Sequence, residues 1–198
     1  MRNLTSIVIL AISFLAAFSS CNSTDETTAA KDAGIAQNVP DVKAFMQGEL
    51  KRLEKEKPSL TKKSVWQDNT NDTILNDVDW KRELALFLEI DFKPAQWASD
   101  FEQVEELHFN GEHIVDYKSV NPEQRMKLVR IVRHETDSSI KRFMINFSES
   151  SVISNSTRSL SYTQNKGYTV TGSKKIRFFE AENYQIIVHF LPMSSNKN

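Results

Sequence analysis

The sequence is poor in cysteine, glycine and proline, and each scarcity excludes a class of protein. One cysteine in 198 residues excludes an intramolecular disulfide. Five glycines and five prolines, beside 39% hydrophobic residues, exclude a collagen-like, low-complexity or wholly disordered chain. The 25 basic and 26 acidic residues leave no basic excess, which argues against nucleic acid as a partner. The length is typical of one folded domain with a sizeable core.

Catalytic signatures are also lacking. The sequence contains no nucleophile elbow, no phosphate-binding glycine loop and no zinc-binding helix motif. The carboxylate groups that deserve comparison with hydrolase acid pairs are Glu83 with Glu89 or Asp91, and Glu102 with Glu105 and Glu106. Paired acids for hydrolysis must converge on a cleft, whereas these spacings are typical of a solvated acidic face. We therefore expect no enzymatic activity and no cofactor.

The four histidines do not predict a metal site. His108 and His113 flank a predicted turn, where neither helical i,i+4 nor strand i,i+2 geometry brings them onto one face. We interpret them as turn-edge histidines exposed to water. His134 and His189 fit one sheet face, but the sequence places no carboxylate beside them. No bound metal is expected.

The beginning of the chain has the pattern of an export signal. Residues 1–20 carry Arg2 as their only charge, then an apolar run from Ile7 to Phe18 and two serines. The run of about 12 residues is short of the roughly 20 that a membrane-spanning helix needs. We therefore predict a cleaved secretory signal rather than a transmembrane anchor.

The single cysteine follows this signal directly. Residues 15–21, Leu-Ala-Ala-Phe-Ser-Ser-Cys, resemble the signal of bacterial lipoproteins, with Phe18 where an aliphatic residue is usual. The resemblance implies that Cys21 is acylated and becomes the mature N-terminus. Several acyl chains would hold the protein stably on a membrane, which is its predicted partner. The alternative is an ordinary signal peptide with an incidental cysteine.

Small polar residues follow the cysteine. Residues 21–38 have too few large apolar side chains to offset the entropy of ordering, which predicts a flexible tether. The pair Asp25-Glu26 resembles the acidic tag that sends Bacteroidota lipoproteins to the cell surface, and a merely solvated charge is the alternative. We expect a folded domain at 39–192, a disordered tail at 193–198, and lipid anchoring in the outer membrane on its periplasmic or cell-surface side.

Charge is divided unevenly along the chain. Residues 21–122 contain 12 basic and 20 acidic residues, a net charge of −8. Residues 123–198 contain 12 basic and 6 acidic residues, a net charge of +6. The boundary coincides with a change from helical spacing to strand alternation.

The first part of the domain favours two helices. Apolar residues recur at spacings of three and four between positions 42 and 53, and prolines bound this run, which predicts a helix at about 40–56. Capping oxygens at 76–79 precede a second helical face that contains Trp80 and Phe87 and that ends or kinks at Pro94. Residues 60–67 and the polar turn after them fit a small hairpin. Residues 97–104 fit a helix or a strand equally.

The second part alternates in the manner of strands. The pair Asn110-Gly111 suits a two-residue hairpin turn, since both central positions require positive φ. Runs rich in β-branched and aromatic residues follow at 127–134, 140–147, 158–162, 168–179 and 184–190. The short turns between them favour antiparallel neighbours, because parallel strands need long crossovers. The predicted fold is α+β, with two N-terminal helices packed on a six- to seven-stranded antiparallel meander.

A longer pattern carries a family resemblance. Residues 80–87 read Trp-x-x-Glu-Leu-x-x-Phe, residues 90–95 read Ile-Asp-x-Lys-Pro-Ala, and a β-rich half follows. In this the chain resembles a group of small Bacteroidota outer-envelope lipoproteins. The group has no assigned function, so the resemblance implies no catalytic residue.

Alternation divides the predicted strands into two faces. The face expected to contact the helices comprises Val129, Ile131, Phe143, Ile145, Phe147, Tyr168, Val170, Ile176, Phe178, Ile186 and Val188. The opposite face is basic and partly apolar, and its candidate ligand-facing residues are Arg130, His134, Arg142, Lys175, Arg177 and His189. Such a mixture suits an envelope protein or an acidic glycan. The alternatives are a solvated face, or charge complementarity with the acidic helices.

These features predict a membrane-anchored, non-enzymatic binding or structural module of the cell envelope. The alternative is a lipid or lipoprotein carrier with an acyl-chain cavity in a curved antiparallel sheet. A dry cavity lined by Phe143, Phe147, Phe178 and Phe190 would support the carrier, and a filled core would exclude it.

One modification site is also suggested. The triplet Asp72-Thr73-Ile74 resembles the Asp-Ser/Thr-aliphatic acceptor of protein O-glycosylation in Bacteroidota. It lies in a predicted exposed turn, which makes Thr73 a candidate for O-glycosylation.

Overall fold

A nine-stranded antiparallel sheet dominates the computed structural model, which describes residues 39–192. In chain order the elements are α1 (Val42–Glu56), β1 (Leu60–Trp66), β2 (Asn69–Leu75), α2 (Trp80–Glu83), α3 (Ala85–Leu88), α4 (Pro94–Asp100), β3 (Phe101–Phe109), β4 (Glu112–Ser119), β5 (Met126–His134), β6 (Ile140–Ser150), β7 (Ser154–Thr163), β8 (Gly167–Ile176) and β9 (Glu182–Phe190). The predicted signal, lipidated cysteine, tether and tail lie outside the described residues. No helix in the described part is long and apolar enough to cross a membrane.

The strand order is β2-β1-β9-β8-β7-β6-β5-β4-β3. Strands β3 to β9 form the predicted meander, in which each strand pairs with the next. The β1–β2 hairpin extends this sheet because β1 pairs with β9, with Leu60 opposite Phe190 and Trp66 opposite Tyr184. The α+β class is confirmed, and nine strands replace the predicted six or seven. The hairpin at 60–75, which the sequence predicts apart from the meander, supplies the two additional strands.

The first predicted helix is confirmed as α1. The side chain of Asp41 caps it by accepting a hydrogen bond from the Ala44 backbone at 2.8 Å. Lys57 ends it in the left-handed conformation, with φ of 46°. Its apolar stripe, which includes Met46 and Leu53, is fully buried against the sheet.

The prediction of one continuous second helix is wrong. Two four-residue helices, α2 and α3, replace it, and Leu84 between them has φ of −94° and ψ of 7°. Pro94 starts a further helix, α4, where its missing N–H costs nothing, rather than ending one. Phe101 then begins β3 directly. The described part therefore has one long and three short helices, not two.

The helices cover one face of the sheet, here called the inner face, and the opposite face is called the outer face. Aromatic rings fill much of the inner face: the Phe87 ring lies 5.8 Å from that of Tyr162 and 5.1 Å from that of Tyr168, and the Phe143 ring lies 6.1 Å from that of Phe87. Most of the predicted inner set is buried or half-buried here. Phe178 was wrongly assigned, since β8 ends at Ile176 and Phe178 lies in the following turn, 91% exposed, with φ of 71°.

A buried carboxylate joins α1 to the sheet. Glu49 is 3% exposed and accepts hydrogen bonds from the Tyr162 hydroxyl at 2.7 Å and from Arg52 at 2.8 and 3.0 Å. Gln164 adds a fourth at 3.3 Å. Burial acts to raise the pKa of Glu49, but the bonds from Arg52, Tyr162 and Gln164 outweigh it and lower the pKa below its ordinary value. Glu49 is therefore a satisfied, ionised group inside the filled core.

Candidate ligand-binding cleft

A cleft of about 520 Å³ opens between the short helices α2 and α3 and the inner face of β1, β8 and β9. Its apolar wall consists of Leu75, Val78, Leu86, Phe87, Val170 and Ile186. Its charged wall consists of Lys62, Asp77, Asp79, Arg82 and Glu83. A volume of this size is within the range of small-molecule sites, and the lining is of mixed apolar and charged character.

Glu83 is the central polar group of the cleft. Its side chain is only 13% exposed, and its two oxygens lie 2.7 and 3.0 Å from the Lys62 ammonium nitrogen. The Tyr168 hydroxyl donates a further hydrogen bond to Glu83 Oε1. Burial, and then the hydrogen bond to Glu83 and its charge, raise the pKa of Tyr168, so this hydroxyl stays protonated and donates.

The sheet register explains how these groups meet. Val188 of β9 lies between Lys62 of β1 and Tyr168 of β8, so all three point to the inner face in one row. The flanking side chains therefore stand two strand spacings apart. Helix α2 crosses above this row and places the Glu83 carboxylate between the ammonium and the hydroxyl.

Local sequence fixes the orientation of α2. The Asp79 side chain caps the helix by accepting from the Arg82 backbone at 3.0 Å. Trp80 anchors the first turn in the core, 3% exposed, with its ring 5.3 Å from that of Phe190. Because Trp80 faces the sheet, Glu83 one turn later faces it too.

The expectation of a solvated acidic face is wrong for Glu83 and right for several other carboxylates. Asp91 forms a surface ion pair with Lys43 at 2.7 Å, and both side chains are 47% exposed. Glu89, Glu105 and Glu106 are exposed, and Glu102 is half-buried at the start of β3. Glu83 does not converge with Glu89 or Asp91. Strand alternation predicts Tyr168 on the inner face, but neither Tyr168 nor Lys62 was predicted as a site residue.

The six residues of the predicted ligand-facing surface do not form one patch. Gly167 faces His189 across β8 and β9, whereas Lys175 lies at the other end of β8, about 26 Å away at 3.3 Å per residue. Arg177 lies beyond β8 in the turn, with its guanidinium 5.0 Å from the Phe178 ring centre. His134 ends β5, opposite Glu112.

Two of the three arginines of that surface, Arg130 and Arg142, are paired with carboxylates on the outer face. Arg130 donates to Asp116 at 2.6 and 2.7 Å, and Asp116 is 5% exposed. Arg142 lies 3.5 Å from Glu112. Both acids belong to β4, so acidic side chains of the first part of the chain pair with arginines of the second part on β5 and β6.

Hydroxyl side chains line a second concavity, of about 470 Å³, on the outer face of β6, β7 and β8. Two cross-strand rows form it, namely Asn146, Ser159 and Thr171, and Ser148, Thr157 and Ser173. The sequence analysis missed this trough, although the alternating Ser and Thr residues of β7 were its signal.

Thr73, His108 and His113 lie in strands and not in turns. Thr73 lies in β2, the exposed edge strand, opposite Lys62, and not in a turn. His108 and His113 stand directly opposite each other in the β3–β4 hairpin, so the argument that kept them on different faces is wrong. The reason is that a two-residue turn pairs the residues on its two sides.

The four phenylalanines expected around a carrier cavity do not surround a common space. Phe143 is fully buried, with its ring 6.2 Å from that of Phe45, whereas Phe178 is 91% exposed. Phe147 and Phe190 are half-buried against the core. A comparison of the chain with known protein families, curated proteins and solved structures finds no match.

Proposed function

We propose that this protein is a lipid-anchored, non-enzymatic binding module of the cell envelope, and that its ligand occupies the cleft between α2, α3 and the sheet. The sequence supports the anchoring part, through the export signal and Cys21. One structural observation supports the proposal that the cleft binds a ligand. Glu83, Lys62 and Tyr168 form a half-buried polar cluster on the wall of an open cleft of about 520 Å³, whereas Glu49 has its partners inside filled core.

The lining favours an amphipathic small molecule. A polar head would exchange hydrogen bonds with the Lys62–Glu83–Tyr168 cluster, and an apolar body would lie along Val170, Ile186 and the neighbouring aliphatic groups. Binding rather than turnover is proposed because these three groups neutralise one another. Lys62 compensates the carboxylate, and Tyr168 remains a protonated donor.

A tryptophan that fills the cleft tests this proposal. Ala85 lines the cleft and is exposed, so Ala85→Trp should block it while leaving the fold intact. The matched control is Ala95→Trp, at an exposed position of α4 outside the cleft lining. We expect native mass spectrometry of protein purified from its own cells to show a bound small molecule in wild type and control, and at least tenfold lower occupancy in Ala85→Trp. Equal occupancy in both variants would contradict the placement.

The mass of the bound molecule separates this proposal from the carrier alternative. A phospholipid or acylated peptide would favour a carrier that uses the cleft in place of the expected phenylalanine cavity. A non-lipid metabolite would favour the binding module.

The anchor has its own test. Metabolic labelling with a radioactive fatty acid should mark the wild-type chain and not Cys21→Ala, because the thiol is the proposed acceptor. An unchanged label in Cys21→Ala would end the lipoprotein proposal. Proteolysis of intact cells then reports the side of the membrane, since protection until lysis places the domain in the periplasm.

The outer-face trough favours a glycan as a second candidate ligand. Its two rows present hydroxyl and amide groups at strand spacing, which suits a hydroxyl-rich chain. Ser159→Trp, in the middle row position, should abolish retention on immobilised envelope glycan, while Ala85→Trp should retain it. Equal retention of both variants would exclude the trough.

A further inference from the structure

The β3–β4 hairpin brings two histidines and a glutamate together at the opposite edge of the sheet from the cleft. His108 and His113 are a directly opposed pair, and their rings stack with centres 4.5 Å apart and planes 11° apart. Glu106 lies two residues before His108 on the same face of β3. One donor atom from each of the three residues lies within 4.8 Å of the others.

Hydrogen bonds already orient these donors. His113 Nε2 lies 2.7 Å from Glu106 Oε1, and His108 Nε2 lies 3.9 Å from the same oxygen. Gln103 donates to the other oxygen of Glu106 at 2.7 Å, which holds the carboxylate in place. The three candidate ligand atoms therefore surround one point beside Glu106 Oε1.

Glu135, which is not one of the three candidate ligands, contacts His108. Its Oε1 lies 3.1 Å from His108 Nδ1, which leaves His108 Nε2 directed toward Glu106. A carboxylate on the far ring nitrogen is the usual partner of a metal-binding histidine, because it fixes the tautomer and raises the basicity of the ligand. The backbone of Glu135 is tied to the hairpin turn by a bond to the Gly111 carbonyl at 3.1 Å.

We propose that Glu106, His108 and His113 bind a divalent transition-metal ion of the Zn²⁺ class, with water in the fourth position and Glu135 orienting His108. Imidazole and carboxylate donors suit Zn²⁺, which three protein ligands and one water commonly coordinate. Metal–ligand bonds of about 2.0–2.1 Å need donors about 3.3 Å apart in a tetrahedron. Small rotamer changes achieve this, since Glu106 and His108 are about half exposed.

The charges around the cluster favour a cation on balance. Glu106 and Glu135 contribute two carboxylates. The opposing charge is Arg133 of β5, which stands opposite His113, but its Nη1 donates to the Ser138 carbonyl at 3.2 Å and so is held toward the β5–β6 turn. Burial of the ion is not required, because the hairpin backbone supplies the preorganisation.

Calorimetric titration of ZnCl₂ into the full-length chain, in detergent and without a histidine tag, tests the site. We expect one ion per chain, with affinity at least tenfold lower in His108→Gln, His113→Gln and Glu106→Gln. Glu135→Gln should lower affinity by about tenfold, as expected for the loss of an outer-shell carboxylate. His189→Gln is the matched control and should bind as wild type, because its residue lies on β9. Cys21→Ser should also bind as wild type.

Thermal melting separates a lost ligand from a lost fold. In EDTA, the variants of Glu106, His108, His113 and Glu135 should melt within about 2 °C of wild type, because these side chains are exposed or partly exposed. Added Zn²⁺ should raise the melting temperature of wild type, His189→Gln and Cys21→Ser equally, that of Glu135→Gln less, and those of the three ligand variants least. The proposal is overturned if wild type binds no zinc at 1 mM, or if His108→Gln and His113→Gln bind as tightly as wild type.

Discussion

Two clusters under the helices have a similar composition and different surroundings. Glu49 with Tyr162 and Arg52 lies between α1 and the sheet, with Glu49 and Tyr162 buried and Arg52 24% exposed. Glu83 with Tyr168 and Lys62 lies on the wall of an open cleft beneath α2. Each is a carboxylate held by one phenol and one cation. The difference teaches that a buried ion pair acts as a structural joint where space is filled, and is accessible to a ligand where space is open.

The largest expected effect on stability is that of removing the Phe87 ring, which lies between the two clusters. Phe87 is fully buried and contacts the rings of both Tyr162 and Tyr168. Phe87→Ala should lower the free energy of unfolding by about 4 kcal/mol through lost burial and cavity formation. The control Phe109→Ala, 65% exposed on the β3–β4 hairpin, should change it by less than about 0.5 kcal/mol. Urea unfolding followed by circular dichroism measures both, and similar losses would remove Phe87 from the core.

The second largest effect is expected when the carboxylate of either cluster, Glu49 or Glu83, is removed. Glu49→Ala should cost about 3 kcal/mol, because the buried Tyr162 hydroxyl loses its partner, whereas Arg52 is 24% exposed and keeps Glu56. Glu83→Ala should cost about 1.5 kcal/mol, because water in the cleft can solvate the groups left behind. The same urea titration tests the order. Equal losses would show that the two clusters are equally enclosed.

Removing each phenol oxygen should give a smaller contrast of the same sign. Tyr162→Phe should cost about 2 kcal/mol and Tyr168→Phe about 1 kcal/mol, since each loses one hydrogen bond to an ionised carboxylate. Tyr168→Phe should also weaken binding of the cleft ligand, whereas Tyr162→Phe should not. A larger loss of stability in Tyr168→Phe would reverse the comparison.

The smallest expected effect is a change in how the free energy of unfolding depends on pH under acid conditions. The pKa of Glu49 is lower in the folded chain than its ordinary value of 4.5, so its contribution is present above about pH 4.5 and declines as the pH falls through the folded pKa. Glu49→Gln does not titrate. The stability difference between wild type and Glu49→Gln should therefore shrink below pH 4.5, and a constant difference down to pH 3 would contradict the assigned ionisation.

Features that depend on local periodicity were predictable. Helix α1, the strands from β5 to β9 and the Asn110-Gly111 turn follow from spacing and turn chemistry within short windows. The break at Leu84 was not, because Trp80 and Phe87 keep helical spacing across it while packing against the sheet overrides the helix. Phe178 was misplaced because alternation alone does not mark where a strand ends.

The candidate sites depended on contacts between distant parts of the chain. Glu83 and Tyr168 are 85 residues apart, and no local pattern joins them. The histidine pair is different, since a two-residue turn at Asn110-Gly111 already implies that His108 faces His113. Its pairing was therefore present in the sequence and was overlooked.

The pairing of β1 with β9 also sets the order in which the chain can fold. Leu60 and Phe190 are about 130 residues apart, so the β1–β2 hairpin can join the sheet only after the last strand has been synthesised. Contacts between such distant segments make folding slow, because loop closure precedes the gain from packing. The β1–β2 hairpin therefore joins the sheet late, whereas the hairpins of the β3–β9 meander pair neighbouring strands and can form earlier.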